Sequence, residues 1–279
     1  ITSAVNLNQA QRRAAAAARA AGALMRRKLH TAKKINAETP HDIKLELDVR
    51  CQKLIQERLR AAFPRVAVLG EEGASGAADA DYRWVVDPID GTVNFASGIP
   101  HASVSIALQV RRASVGAPRR AKRRVTTAGS SLTYETLVGV VYDPFIDELW
   151  TAQRGAAARL NGRVIRVSNR RRLQESIVSI GFAKDRTSLE RALPYFTWLS
   201  RRVRKVRMMG SAALALAYVA TGRFDAYIER GINLWDIAAG GLILECAGGK
   251  FWREPAGGEH RFRMIASNGR LHRHFPVPL

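Results

Sequence analysis

Trp84-Val85-Val86-Asp87-Pro88-Ile89-Asp90-Gly91-Thr92-Val93-Asn94-Phe95 is the stretch with the densest chemistry in the chain. Arg83 to Val86 is aromatic and β-branched, as a strand prefers. The sequence predicts that this strand stops at Asp87-Pro88, because proline donates nothing to a ladder. The strand brings Asp87 to the sheet's edge, Pro88 turns the chain, and Asp90 points back toward the same region. With the Ile89 carbonyl between them, the two carboxylates form an all-oxygen donor set. Mg²⁺ prefers such sets, completed by water and substrate phosphate. Gly91 and Thr92 open a helix, whose first N–H groups suit a phosphate.

Asp-x-x-Asp-Gly by itself is most often a turn closed by an Asx hydrogen bond, so the other acids carry weight. Upstream, a short strand at Val66–Leu69 runs into Gly70-Glu71-Glu72-Gly73. Downstream, Leu234-Trp235-Asp236 precedes a helix over Ile237–Ala247. Glu71, Asp87, Asp90 and Asp236 therefore each sit at a strand end or a helix start. The plain alternatives are a solvated loop for Glu71-Glu72 and a helix N-cap for Asp236.

The rest of the chain supplies elements around these acids. Helices are expected over Asn8–Leu29 and Asp48–Ala62, from apolar residues at helical spacing. Ser103–Val110 and Thr136–Tyr142 read as a strand pair, joined by the long basic stretch Arg111 to Tyr134. A connection that long is functional or disordered; a solvated loop is favoured, with anion or nucleic-acid contact as the minor reading. Further strands are expected near Arg163–Val167, Ser176–Ile180, Val203–Met208 and Phe224–Ile228. Further helices are expected near Leu189–Arg201 and Ser211–Thr221. The pattern suggests an α+β half over 1–150 and an α/β half over 151–279, with the boundary near Trp150.

Composition narrows the classes. Two isolated cysteines, Cys51 and Cys246, exclude a disulfide framework and lack the spacing of a metal site. They fit a reducing compartment, so a cytoplasmic setting is expected. No run of about 18 apolar residues is present, so no membrane helix is expected. Ala14 to Ala23, flanked by arginines, reads as the first helix, with a transit peptide as the lesser reading. Forty-five Lys and Arg against 24 Asp and Glu leave a net charge of +21. That favours an anionic partner, whether nucleic acid, an acidic membrane surface or a phosphorylated substrate, unless it is surface bias spread over the molecule.

The DPIDGT segment, Gly70-Glu71-Glu72 and Leu234-Trp235-Asp236-Ile237-Ala238-Ala239-Gly240 together resemble the signature of the inositol monophosphatase family. Gly139-Val140-Val141-Tyr142-Asp143-Pro144 is similar to its central strand. Gly210-Ser211-Ala212-Ala213 and Asp225-Ala226-Tyr227-Ile228-Glu229 are similar to its substrate-pocket segments. The likeness spans about Asp42 to Asn268. It implies a layered αβαβα fold, with helix and sheet alternating, and hydrolysis of phosphate monoesters by metal-activated water. By motif, Glu71, Asp87 and the Ile89 carbonyl would hold a first Mg²⁺, and Asp87, Asp90 and Asp236 a second. A third, weaker ion would lie near Glu71.

Thr92 would relay the proton of the nucleophilic water to Asp48, with Glu71 nearby. Lys44-Leu45 replaces the family's usual Val-Thr before that acid, and Ala37 stands where the family carries a lysine. Asp90, Gly91, Thr92, Gly210, Ser211, Ala212, Glu229 and Asp236 would contact the substrate. His101 reads as structural. The resemblance further implies lithium sensitivity, a homodimer and a place in inositol phosphate metabolism. Its alternatives are histidinol phosphate, fructose 1,6-bisphosphate or 3′-phosphoadenosine phosphate as substrate. A rival of another class is a basic nucleic-acid-associated protein on a phosphatase scaffold.

Overall fold

A computed structural model of the protein describes residues 5–39, 42–112, 133–181 and 186–277. The chain opens with α1 (Leu7–Lys28), capped by the Asn6 side chain accepting from Gln9 N at 3.0 Å. Ala10, Ala14, Ala17, Ala18, Ala21 and Met25 form its buried stripe at helical spacing. A short pair, β1 (Ile35–Thr39) and β2 (Asp42–Leu45), leads to α2 (Glu46–Ala62). Then come β3 (Ala67–Gly70), β4 (Gly73–Ser75), β5 (Tyr82–Asp90), α3 (Thr92–Ala96), β6 (Ser103–Arg112), β7 (Thr133–Asp143) and β8 (Glu148–Gln153). The edge hairpin β9 (Arg159–Leu160) and β10 (Arg163–Val164) follows, then β11 (Ile177–Ile180), α4 (Arg186–Ser200) and β12 (Lys205–Arg207). The chain continues with α5 (Ala212–Ala220), β13 (Ala226–Asn233), α6 (Leu234–Cys246), β14 (Lys250–Pro255) and β15 (Arg261–Ser267).

Two sheets organise these elements. The larger has eight strands in the order β10-β9-β8-β7-β6-β5-β3-β4, antiparallel except for β3 beside β5. The smaller has five, β12-β11-β13-β15-β14, with β11 parallel to both its neighbours. Side chains alternate faces along each strand, and the cores follow. Trp84, Val86, Ile106, Leu108, Val138 and Val140 pack on α1 and α2. Val85, Ala107 and Val141 face the other way, onto α5 and α6. Beyond those helices, Tyr227 of the small sheet joins the same core, while Val178, Ala226 and Ile228 face outward onto Leu199 of α4. The result is five layers, αβαβα, as the family likeness implies. Helices α5 and α6 lie between two sheets, which explains why they are apolar all round.

Two features set the positions of the acids. Gly139 lets α6 approach β7: a Cβ there would stand 2.7 Å from the Ala239 carbonyl oxygen. The strand of the decisive motif also does not stop at Pro88. It runs on to Asp90 through a bulge, pairing Asp87 with Ser105 and then Asp90 with Ser103. The bulge takes up one extra residue, and proline is tolerated there because a bulged residue leaves the ladder. Three residues of chain thus span two of the partner strand. Asp87 and Asp90 consequently both reach the middle helix layer, close to Asp236 of α6, with Asp90 at the start of α5.

The strand pair expected over 103–110 and 136–142 is present, and both strands run further toward the basic stretch, to Arg112 and from Thr133. Residues 113–132 of the basic stretch lie outside the described residues. Position 150 falls inside β8, and the large sheet continues to Val164. Helix α6 begins at Leu234, three residues before its expected start, which places Asp236 in its first turn. Strands β14 and β15 carry no clear alternation of apolar and polar residues: β14 is part-exposed throughout, and β15 ends in a run of four buried residues. Among the described residues, no helix is long and apolar enough to cross a membrane.

Candidate active site

Asp87, Asp90 and Asp236 converge where the large sheet meets the middle helix layer. Each offers a carboxylate oxygen within 4.8 Å of the others. Asp87 accepts from Ile89 N at 3.1 Å, the Asx turn that the spacing suggested, here within a carboxylate cluster. Asp236 is not the N-cap of α6. It is the third helical residue, and its carboxylate reaches back to Asn233 N at 2.9 Å, half of a capping box.

Asp90 binds the two halves of the chain together. It accepts from Ala212 N at 3.1 Å, from Ala213 N at 2.8 Å and from the Ser211 hydroxyl. The Ser103 hydroxyl lies 3.4 Å away. Its carboxylate therefore sits on the positive N-terminal end of α5, where helix N–H groups favour an anion.

These acids border a cleft of about 410 Å³ that Glu71, Ile89, Gly91 and Thr92 also line. Gly210, Ser211, Ala212 and Glu229 line its opposite side. Three layers thus contribute: the large sheet, the starts of α5 and α6, and β13 of the small sheet. Gly91 adopts φ +98°, and a Cβ there would press on the carbonyl oxygens of His101 and Gly210 at 3.0 and 3.1 Å. Glycine is required at that turn.

The electrostatics are those of excess buried negative charge. Burial, then the charges of Glu71, Asp90 and Asp236, push the Asp87 carboxyl well above the usual range. Burial, then Glu71 and Asp90, do the same to Asp236. Burial also raises Asp90, against the hydrogen bonds from Ser211, Ala213, Ala212 and Ser103. Buried like charges at this spacing cannot all ionise without compensation. An oxygen-only, multiply anionic donor set fits a hard divalent cation such as Mg²⁺.

Glu71 lies on the cleft but outside the tight group of three carboxylates. Its backbone is held by Glu71 N donating to Val86 O at 3.1 Å. The Ile89 carbonyl accepts from the Thr92 hydroxyl at 2.8 Å. Thr92 and Asp48 are therefore not hydrogen-bonded to each other here. Asp48 is buried, and its position is the third residue of α2, not the N-cap. Its Oδ2 takes Leu45 N at 2.7 Å, while Oδ1 has no hydrogen-bond partner among the described residues. Burial raises its pKa to about 7, with Glu71 and Glu72 adding to the shift. Lys44, the departure from the family pattern, lies 3.4 Å from Glu72. His101 contributes its backbone oxygen to Asn94 and is not in the carboxylate cluster.

Two contributors went unassigned in the sequence reading. Asn94 donates to His101 O at 2.9 Å and to Met209 O at 2.8 Å, tying the metal-motif helix to the loop before Gly210. Gln52 receives Glu72 N at 2.9 Å and donates to Gly73 O at 3.1 Å, fixing the turn after Glu71. Gln52 left a faint trace, a polar residue on the buried face of α2. Asn94 left none, because one of its partners is 115 residues away.

Comparison with known proteins agrees with this geometry. The profile described as "Inositol monophosphatase family" matches residues 6–118 and 129–273. An inositol-1-monophosphatase of Rhizobium meliloti is 38% identical over 226 residues, 80% of this chain and 76% of that protein. A protein of Pasteurella multocida named Nus factor SuhB is 39% identical over 217 residues, 76% of this chain and 72% of that one. The crystal structure of the extragenic suppressor protein suhB from Bartonella henselae matches with a TM-score of 0.81 at 31% identity, covering 96% of each chain. An inositol monophosphatase structure from Anabaena matches with a TM-score of 0.77 at 35% identity, covering 99% of each. With the five-layer fold and three clustered aspartates, these matches establish that the chain belongs to the inositol monophosphatase family.

Proposed function

We propose that the protein is a Mg²⁺-dependent phosphatase of small phosphate monoesters, with inositol 1-phosphate or a related polyol phosphate as substrate. The observation that carries this reading is the group of three buried carboxylates within 4.8 Å of one another, on a cleft that also holds Glu229 and the α5 start. Glu71, Asp87 and the Ile89 carbonyl would hold one ion, and Asp87, Asp90 and Asp236 another. Bound there, the ions lower the pKa of water, neutralise phosphoryl charge and stabilise the leaving alkoxide.

The chain's own groups do the positioning that phosphoryl transfer needs. Gly91 and Thr92, which line the cleft at the start of α3, would offer their N–H groups to the anionic phosphate. Asp90 fixes the Ser211–Ala213 turn against the acids. Asp48, with one unpartnered oxygen and a pKa near neutrality, is suited to receive a proton. It serves Thr92 once that hydroxyl turns from the Ile89 carbonyl. Glu229, an acceptor when ionised, suits a hydroxyl-bearing alcohol part.

A phosphate-release screen over inositol 1-phosphate, histidinol phosphate, fructose 1,6-bisphosphate and 3′-phosphoadenosine phosphate tests the assignment. The polyol ester is expected to give the highest kcat/KM. Preference for any other substrate overturns the specificity, and release from none overturns the activity.

A second reading is favoured by the relatives named Nus factor SuhB and by the +21 charge: association with nucleic acid. RNA binding whose affinity falls steeply with salt would support it, and no binding at low salt would remove it. A homodimer is expected as well, and sedimentation would reveal it.

A further inference from the structure

We propose that Tyr227 and Gly181 are positioning residues that hold the Glu229 carboxylate in the cleft and so set the preference for a hydroxyl-bearing alcohol. The inference rests on the reading above of Glu229 as the group that meets the alcohol. Tyr227 and Glu229 are two residues apart on β13 and share the face toward the middle helix layer and the cleft. Tyr227 is only 3% exposed, and its phenol donates to Glu229 Oε2. Burial, then the adjacent Glu229 charge, push the phenol well above its ordinary pKa. The phenol therefore stays protonated and is a constant donor to the carboxylate.

Gly181 closes the other side. It follows β11, and Gly181 N donates to Ile228 O at 3.0 Å, which lays its Cα beside Glu229. A Cβ at Gly181 would overlap the Glu229 carboxylate, so only glycine leaves that seat open. Its φ is not in the left-handed region. The glycine is required for space alone. All three residues line the same cleft as the clustered aspartates.

A carboxylate so held only accepts hydrogen bonds. Its complement is a donor, and a polyol supplies hydroxyl donors where an aryl ester supplies none. Loss of a hydrogen bond to a charged group leaves the partner mis-set, and sites built on such bonds discriminate strongly against analogues lacking the donor.

The test measures kcat and KM for inositol 1-phosphate and for p-nitrophenyl phosphate in Glu229→Gln, Tyr227→Phe, Gly181→Ala and the Tyr227→Phe/Glu229→Gln double variant. The expected result is a fall of about tenfold in the kcat/KM ratio of the two substrates for each single variant. The fall should lie in KM for the polyol ester, and the double variant should lose no more than Glu229→Gln. If Glu229→Gln lowers the ratio while Tyr227→Phe and Gly181→Ala do not, the positioning role is wrong and the reading of Glu229 stands. If Glu229→Gln itself leaves the ratio unchanged, that reading fails and the inference with it. Equal losses on both substrates, or full additivity in the double variant, would reduce Tyr227 to a packing residue.

Discussion

Asp48 and Thr92 are not hydrogen-bonded to each other, though Asp48 lies near enough to Glu71 to feel its charge. The Thr92 hydroxyl donates to the Ile89 carbonyl, and Asp48 keeps one buried oxygen without a partner. If the two act as one relay, Thr92→Ala and Asp48→Asn should each lower kcat by about 10²–10⁴-fold. The double variant should lose little more, because members of one relay are not additive. Independent, multiplicative losses would dissolve the relay and leave Glu71 as the base. The acids themselves were legible residue by residue, because strand ends and helix starts are marked by Pro88, Gly91 and the apolar run of α6. Which hydrogen bonds each acid makes was not legible. Asp90 meets residues more than 120 positions away, and Asp236 and Asp48 occupy the third helical position, one turn inside the cap that a lone Asp suggests.

At the scale of elements, the approach of α6 to β7 places Asp236 opposite Asp87. Gly139→Ala would put a methyl against the backbone of α6, where no side chain can turn aside. It should destabilise the fold by about 1–3 kcal/mol, seen as a lower urea midpoint with unchanged slope. A midpoint equal to wild type would mean that α6 is less tightly seated.

The turn after β7 offers a pH test. Burial raises the Asp143 carboxyl from 3.8 to about 6, against hydrogen bonds from the Phe145 and Ile146 backbones. The folded chain then binds this proton more tightly than the unfolded one. Its stabilising contribution is complete below about pH 4 and is lost as pH rises to about 6. Asp143→Asn retains an oxygen for Phe145 N. Between pH 4 and 7 its stability should fall less than wild type's, by on the order of 2 kcal/mol. Parallel curves would refute the shift. Element types were readable from periodicity, but the bulge at Pro88 was not. A proline ends a strand by default, and only the partner residues Ser103 and Ser105 show that the ladder resumes.

The whole molecule stacks five layers, and the cleft draws on three of them. That architecture came from the family likeness; composition and periodicity alone reached only mixed α and β. The two halves drawn in the sequence share one core, because α5 and α6 pack on both sheets. The basic stretch connects β6 to β7. Arg112 and Thr133 are paired in register, so a turn of about two to four residues can replace 113–132. Closure cost changes slowly with loop length. The shortened protein should keep its turnover on a small ester while its salt-dependent affinity for RNA falls. Loss of turnover would assign the segment to the active site.

The most direct test is phosphate release from inositol 1-phosphate as a function of Mg²⁺ concentration, for the wild type and for Asp87→Asn. If the clustered carboxylates form a cation-dependent phosphatase site, wild-type turnover rises to saturation with Mg²⁺ and disappears with EDTA. It returns on readdition, and Asp87→Asn stays at least about a hundredfold lower at every concentration. Turnover that survives EDTA, or an Asp87→Asn variant near wild type, would contradict the account.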